Sequence, residues 1–396
     1  MLVIGLIREG KTPADNRVAL TPSQCRWMLK NTDFKIFVQP SSTRCFNDNE
    51  YERSGAVLQE DLSNCDLLMG IKEVPVDMLI DNKTYMFFSH TKKMQPYNQQ
   101  LMQAMVKKNI TLIDYECLEH EDGQRIIGFG FFAGVVGAHN GIMAYGERSQ
   151  EYQLGRVYKQ RDYLELIHTY FGLKVPPIKI AVTGSGRVAH GILEIMNLMD
   201  VQEVEPDEYM SKQFSYPVYV HLKGSTLYTH AEKRTYSRDD FHANPQQYEC
   251  LFRPYCAQTD ILMNGVYWDH NIPRLFETDD IKAADFRIQT IADITDDSHG
   301  SVPINLGDCT MIDPVYGVDK LTAKQTAPYL NTSVDVMAVG NLPNELPRDA
   351  SRFFGEQLIK HVLGNIIKGS ITIDKATMLK AGKLTSHYEY LSDYAY

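Results

Sequence analysis

The chain has 396 residues, of which 43% are hydrophobic and 23% charged, an ordinary globular balance in a length that suggests two domains rather than one. Its formal net charge of −10 repels phosphate backbones and argues against nucleic acid as the main partner. Seven cysteines, an odd number with no CxxC or Cys/His ligand spacing, read as scattered reduced thiols, and no metal site is expected.

The opening MLVIGLIREGK carries a short apolar run with Glu9 close behind, so Leu2 to Ile7 is predicted as a buried first strand and not as a signal peptide. No stretch approaches the roughly 18 apolar residues of a membrane span, and a cytoplasmic location is expected. Pro22 opens a predicted helix to about Lys30, since proline fits the first turn. Strands are expected at Lys35–Gln39, Asp66–Ile71, Thr84–Phe88 and Thr111–Tyr115. A helix over Pro96–Lys108 places Leu101, Met102, Met105 and Val106 on one face. Strands alternating with helices imply an α/β layer with a largely parallel sheet.

Gly128 to Gly146 (GFGFFAGVVGAHNGIMAYG) reads as the start of a long connecting helix whose small residues allow close packing on a neighbour. A second helix is expected over Arg161–Phe171, and Val175-Pro176-Pro177 then breaks the chain. Ile178–Thr183 is a buried strand that runs into Gly184-Ser185-Gly186-Arg187-Val188-Ala189 and a helix to about Met199. A strand, a GxGxxA turn and a helix open a dinucleotide-binding unit: Gly184 permits the turn, Gly186 lets backbone approach a pyrophosphate, and Ala189 allows helix–strand packing. An ordinary tight turn is the alternative. The next strand is expected at Val204–Pro206, with Asp207 first and Glu205 second as ribose ligands, or else as solvated loop carboxylates. An acid there suits NAD, whereas Arg187 or Lys212 could reach a 2′-phosphate. Tyr216–Tyr228 reads as a hairpin inside an insertion over about 215–257. Parallel strands resume at Thr259–Met263 and Arg287–Ile294, and the chain is helical from about Pro343 to Ile367.

Polar residues stand at the ends of several predicted strands, where open α/β sheets bind ligands. Arg17 precedes an apolar turn. Lys72 and Glu73 follow one strand, His90 with Lys92 and Lys93 another, and Glu116 a third; Arg125 precedes the glycine-rich helix. A lone Lys or Arg in such a place is more often a solvated charge, and a lone His more often a satisfied structural one. Several such ends along one edge point to a site more than any single one does. Asn264 and Asp293 follow later strands and would flank a nicotinamide, with plain turn chemistry as the alternative.

The stretches NRVALTP (16–22), QPSSTRCFNDNEYERSGAVLQED (39–61), GIKEVP (70–75), FFSHTKK (87–93), LIDYE (112–116), FGFFAGVVG (129–137), NGVYWDHNIPRL (264–275), DITDDSHGSVP (293–303) and NLPNELPRDASRFF (341–354) carry a resemblance. The chain resembles the lysine–ketoglutarate reductase domain and the lysine-forming saccharopine dehydrogenases, within the alanine dehydrogenase and transhydrogenase superfamily. The resemblance implies two Rossmann-like domains, each a largely parallel sheet flanked by helices, with a cleft between them. Residues 1–135 plus 343–396 would form the substrate domain and 136–342 the dinucleotide-binding domain.

It further implies that Lys72 and His90 are an acid–base pair, that Arg17, Lys93 and Arg125 hold substrate carboxylates, and that Glu73 and Glu116 tune the charge. Glu73 departs from some reductase-type members, which are basic there, and agrees with the free-standing dehydrogenases. The implied activity interconverts saccharopine with L-lysine and 2-oxoglutarate using NAD or NADP. A tricarboxylate substrate needs several fixed cations. Its C–N chemistry needs two groups that trade protons near neutral pH, which suits a lysine beside other cations and a histidine. An alanine dehydrogenase-like enzyme and a non-catalytic NAD(P)-binding sensor are the alternatives. Homo-oligomerisation is left open.

Overall fold

The computed structural model describes residues 2–121 and 123–396. The chain divides into two compact units, Met1–Phe129 with Pro347–Tyr396, and Gly130–Leu346. Among the described residues no helix is long and apolar enough to cross a membrane, and the seven cysteines are free.

In the first unit the strands are β1 (Val3–Leu6), β2 (Lys35–Val38), β3 (Val57–Leu58), β4 (Leu67–Met69), β5 (Thr84–Phe87) and β6 (Thr111–Asp114). They lie parallel in the order β3-β2-β1-β4-β5-β6. A hairpin from the C-terminal part of the chain, Thr377–Lys380 with Lys383–Leu384, extends the sheet antiparallel beyond β6. The central strands are buried on both faces, which is why they read as apolar runs and not as alternating ones. Helix α1 (Pro22–Asn31) starts with Pro22 in its first turn and a reciprocal cap between Thr21 and Gln24. Helix α2 (Asp48–Ser54), which hydrophobic periodicity does not announce, is started by Asn47 and ended by Gly55 in the left-handed region. Helix α3 (Gln99–Lys107) buries Leu101, Met102 and Met105 as its spacing predicts.

The second unit begins with α4 (Gly130–Ser149) and α5 (Tyr163–His168), followed by β7 (Lys179–Thr183), α6 (Arg187–Leu198), β8 (Gln202–Glu203) and β9 (Val218–Leu222). Then come β10 (Tyr228–His230), β11 (Tyr248–Cys250), β12 (Ile261–Asn264), β13 (Thr290–Asp293), β14 (Val315–Asp319), β15 (Gln325–Thr326) and β16 (Ser333–Met337). The sheet order is β15-β14-β16-β13-β12-β7-β9-β8, parallel except for β14 and β15. Both units are thus Rossmann-like: the order switches direction between β1 and β4 in the first and between β7 and β12 in the second, where β9 also lies inside β8 and β16 inside β14.

Two sequence expectations change here. The strand next to β7 is not a Val204–Pro206 strand but β9, and β8 is a two-residue edge strand beyond it. Pro206 instead enters the first turn of a helix, Pro206–Ser211, where its missing N–H costs nothing. The hairpin expected over Tyr216–Tyr228 does not form. Val218–Leu222 is almost wholly buried and joins the main sheet, and Tyr228–His230 pairs with Tyr248–Cys250 instead. The C-terminal helix expected over 343–367 is also broken. It consists of a 3-10 turn (Leu342–Glu345), a helix (Pro347–Leu358), a wide turn (Ile359–Leu363) and a last short helix (Gly364–Lys368).

The glycines of α4 do what close packing requires. A Cβ on Gly134 would lie 2.0 Å from the Val188 carbonyl oxygen, and one on Gly191 of α6 would lie 2.0 Å from that of Phe131. The two helix backbones therefore touch, and α6 is fixed directly behind the glycine turn. Because backbone cannot yield as a flexible side chain can, Gly191→Val should destabilise by about 3 kcal/mol, the upper end of overpacking costs. Denaturant unfolding measures this, and a change below about 1 kcal/mol would show that the helices can separate without penalty.

Candidate active site

The reversal in the first unit leaves the carboxyl ends of β1 and β4 diverging, the place where open α/β sheets bind ligands. The residues that follow β1, β4, β5 and β6 converge there in sequence order. Glu9 comes just after β1, and its two carboxylate oxygens accept the backbone N–H groups of Ile71 (2.6 Å) and Lys72 (2.9 Å) just after β4. The carboxylate thereby ties the loop that carries Lys72 and Glu73 to the first strand. His90, just after β5, turns back through a left-handed backbone (φ +50°) and its Nδ1 meets Glu73 Oε1 at 2.7 Å. Lys11 Nζ holds the other Glu73 oxygen at 2.8 Å, and Asn98 Nδ2 donates to Oε1 at 3.4 Å. A non-glycine residue in this backbone region is uncommon and tends to mark a functional position.

Electrostatics differ sharply between neighbours. Burial, with the Arg17 charge added, brings the Lys72 ammonium down to about 8. Among the described residues that ammonium has no hydrogen bond or ion pair. Burial alone would raise the Glu73 carboxyl, but the bonds from His90 and Lys11 override it and hold the group well below the usual carboxylate range. Glu9 moves the other way: burial and the Asp15 charge push it up to about 8 despite its two N–H partners. Asp114, at the end of β6, is pushed up to about 6 by burial while accepting hydrogen bonds from Ser89.

Arg17 lies 3% exposed and grips Asp15, itself 2% exposed, with Nε at 2.9 Å and a terminal nitrogen at 2.6 Å. Its guanidinium rests 4.1 Å from the Phe129 ring centre. Phe129 stacks on Phe354 at 4.6 Å and 8°, while Phe88 touches Tyr115 and Phe354 and lies parallel to the His90 ring. This aromatic layer supports the cation from one side and the imidazole from the other. The burial of Arg17 makes it a fixed positive charge beside Lys72. Lys93 is exposed, and Arg125, half-exposed, is paired with the buried Glu116.

Sequence reasoning brought Lys72, Glu73, His90 and Arg17 to one cluster. It passed over Glu9, Lys11, Asp15, Asn98 and the Phe129–Phe354 stack. Glu9 carried a usable signal, since it follows the first strand of a doubly wound sheet. Phe354 carried none, being distant in the chain.

In the second unit the glycine turn fits a dinucleotide. Gly184 has φ +106°, and a Cβ there would sit 2.4 Å from the Gly265 carbonyl oxygen. A Cβ on Gly186 would meet nothing within 4 Å, and Gly186 brings no side-chain cap to the start of α6. Arg187 and Val188 form the first turn of α6, and the open space beside Gly186 suits the approach of a pyrophosphate to this helix start. Asn264 and Asp293 are fully buried and bond each other at 2.8 Å, with Thr183, Thr295, Ser301 and Asn305 completing the network. They tie the ends of β7, β12 and β13 together beneath the crevice. Asp207 is exposed in the helix that follows β8, whose Tyr209 and Lys212 carbonyls accept from Lys179 at the amino end of β7, opposite the glycine turn. Among the described residues no group of three or more His, Cys, Asp or Glu is arranged to hold a metal.

Because the Glu73 carboxyl is held below its unfolded value, its contribution to stability is full above about pH 4.3 and fades as pH falls. The stability gap between wild type and Glu73→Gln should be widest near neutral pH, begin to shrink below about pH 4.3, and close only as pH falls through the depressed native value. Urea titrations across pH read it, and a gap that persists unchanged to about pH 3 would remove the pairing from the account.

Residues 5–136 match the family model of the alanine dehydrogenase/PNT N-terminal domain. The mitochondrial alpha-aminoadipic semialdehyde synthase of Mus musculus is 28% identical over 98% of this chain and 47% of its own length, so the chain spans about half of that relative. The NAD(+), L-lysine-forming saccharopine dehydrogenase of Emericella nidulans is 23% identical over 90% of both chains. Among solved structures, an L-alanine dehydrogenase superposes with a TM-score of 0.68 at 17% identity over 100% of both chains, a likeness of fold. The chain is thus similar, over nearly its whole length, to proteins named alpha-aminoadipic semialdehyde synthase and L-lysine-forming saccharopine dehydrogenase, and its first third matches the alanine dehydrogenase/PNT N-terminal domain.

Proposed function

We propose that the protein is an NAD(P)-dependent oxidoreductase that acts on the CH–NH bond of saccharopine and interconverts it with L-lysine and 2-oxoglutarate. The observation that carries this reading is the placement of Lys72 and His90 on neighbouring strand ends, with Glu73 bonded to His90 and the Lys72 ammonium lowered to about 8. The names of the similar mouse and fungal proteins support the same chemistry.

Gly184, Gly186, Arg187 and Val188 would hold the dinucleotide's phosphates, and when bound it supplies the acceptor or donor of hydride. The chain's own residues manage protons and charge. Lys72, near 8, can lose its proton close to physiological pH and so accept one from the secondary amine of saccharopine. Glu73 fixes the His90 ring through Nδ1 and leaves Nε2 to trade a proton with the water that adds to the imine and with the carbinolamine that then collapses. Lys93 and Arg125 offer cations to the substrate carboxylates. Arg17, with both arms on Asp15, keeps Lys72 acidic. Glu73 and Glu116 offset the accumulated positive charge. An alanine dehydrogenase-like reaction, favoured only by the likeness of fold, would need fewer such cations.

An assay with lysine, 2-oxoglutarate and reduced cofactor tests the reading, and turnover of pyruvate with ammonia instead would replace it. Lys72→Met should lower kcat by about 10²-fold or more, and His90→Gln by a comparable factor. The wild-type pH–rate profile should show an inflection near 8, and the Lys72→Met variant should lose it. Full turnover in Lys72→Met would end the acid–base assignment.

A further inference from the structure

His90 and Lys93 share one short loop, and its backbone is strained at two places. His90 has φ +50° and Met94 has φ +53°, both non-glycine residues in the left-handed region. Backbone of this kind persists only where its surroundings over-determine it. On the side of the sheet, Ser89 Oγ bonds Asp114 and lies 2.6 Å from Thr91 Oγ1. Asn98 Nδ2 donates to the Ser89 carbonyl at 3.0 Å. These bonds fix the residues on either side of His90. Beyond Thr91 the Met94 N–H donates back to the Thr91 carbonyl at 2.9 Å, which closes a turn that carries Lys92 and Lys93.

Two tyrosines from a distant segment hold the far side of this turn. The Tyr390 hydroxyl donates to the Lys92 carbonyl at 2.8 Å, and the Tyr394 hydroxyl donates to the Gln95 carbonyl at 2.6 Å. One bond meets the turn in its middle and the other where it ends. The Gln95 carbonyl also accepts the Asn98 N–H at 3.0 Å and so starts the 3-10 turn Pro96–Asn98 that leads into α3. The segment that supplies the tyrosines is itself anchored. Leu391, Tyr394 and Ala395 are buried in the first unit's core. The Tyr388 hydroxyl donates to the Lys375 carbonyl at 2.7 Å, and the short helix Ser392–Ala395 packs against α3. Lys92 Nζ adds an ion pair to Glu119 at 2.8 Å.

We propose that Tyr390 and Tyr394 are positioning residues that clamp the turn after His90, holding its imidazole on Glu73 and Lys93 in place beside it. Both hydroxyls are bonded to backbone carbonyls, so they act through the turn and not on substrate. The inference rests on the assignment of His90 to proton transfer and adds what keeps that group in place. The demand is strict, since a misplacement of about 1 Å can cost about 10²-fold in rate.

Tyr390→Phe, Tyr394→Phe and the double variant remove the hydroxyls and keep the rings. Amide hydrogen exchange of the full chain reads the turn without turnover, at the Met94 and Asn98 amides that are bonded within the loop. In the double variant these should exchange about tenfold faster or more, while the β5 amides and the urea midpoint stay close to wild type. In the saccharopine assay the same variant should lose about five- to tenfold in kcat. It should keep its dinucleotide affinity within about twofold and retain the inflection near 8 that belongs to Lys72. A general loosening of the fold would move all of these together and overturn the proposal. Unchanged exchange at Met94 and Asn98 overturns the clamp, and faster exchange with unaltered kcat overturns its part in catalysis. Full turnover in His90→Gln would instead remove the proton-transfer reading, and this inference with it.

Discussion

A parallel strand whose two neighbours come from opposite directions of the chain cannot have both following loops cross the same side, so its carboxyl end stays uncovered. That constraint acts twice here, at β1 beside β4 and at β7 beside β12. At the first reversal the uncovered ends carry charge: Glu9, Lys72, Glu73 and His90. At the second they carry glycine: Gly184, where a Cβ would sit 2.4 Å from the Gly265 carbonyl oxygen, and Gly265, where a Cβ would lie 3.1 Å from the Thr183 carbonyl oxygen. One topology, used on two different sets of residues, presents a cluster of charged side chains in one unit and a tight glycine turn in the other.

The charged cluster is stable because each buried group is answered by a specific partner. Arg17 faces Asp15, Lys11 faces Glu73, and Arg125 faces Glu116. Lys72 lacks such an answer, and its pKa falls accordingly. Most of these pairs are confined to the first unit's own strand ends. The charge balance around Lys72 is therefore set within the first unit, by burial and by Arg17, Glu73, Asp15 and Lys11.

Much of this was legible in the sequence. Parallel strands buried on both faces announce themselves as apolar runs, and Val3–Leu6, Lys179–Thr183 and Ile261–Asn264 form close to where those runs stand. The glycine turn was legible because its steric demands leave few residue choices. The strand beside it was not. A two-residue edge strand, a proline-led helix and the buried Val218–Leu222 compete in the same stretch, and which of them pairs with β7 is settled by burial in the sheet and not by local propensity. That is why Val204–Pro206 stood out in the sequence as the second strand and Val218–Leu222 did not. Side-chain networks such as Lys11–Glu73–His90, or the stack of Phe129 on Phe354, join residues whose separation along the chain carries no pattern.

The first unit is closed by the end of the chain. Phe354 completes its aromatic layer, and the Ser351 hydroxyl accepts the Val18 N–H at 2.9 Å across a separation of 333 positions. During synthesis the whole of the second unit must emerge before these contacts can form. Until then Phe88, Tyr115 and Phe129 have only one another to pack against and lack Phe354, so the N-terminal segment would wait as an incomplete, apolar-faced intermediate. Contacts of such long range also slow the final closure, since the loop they close is nearly the full length of the protein.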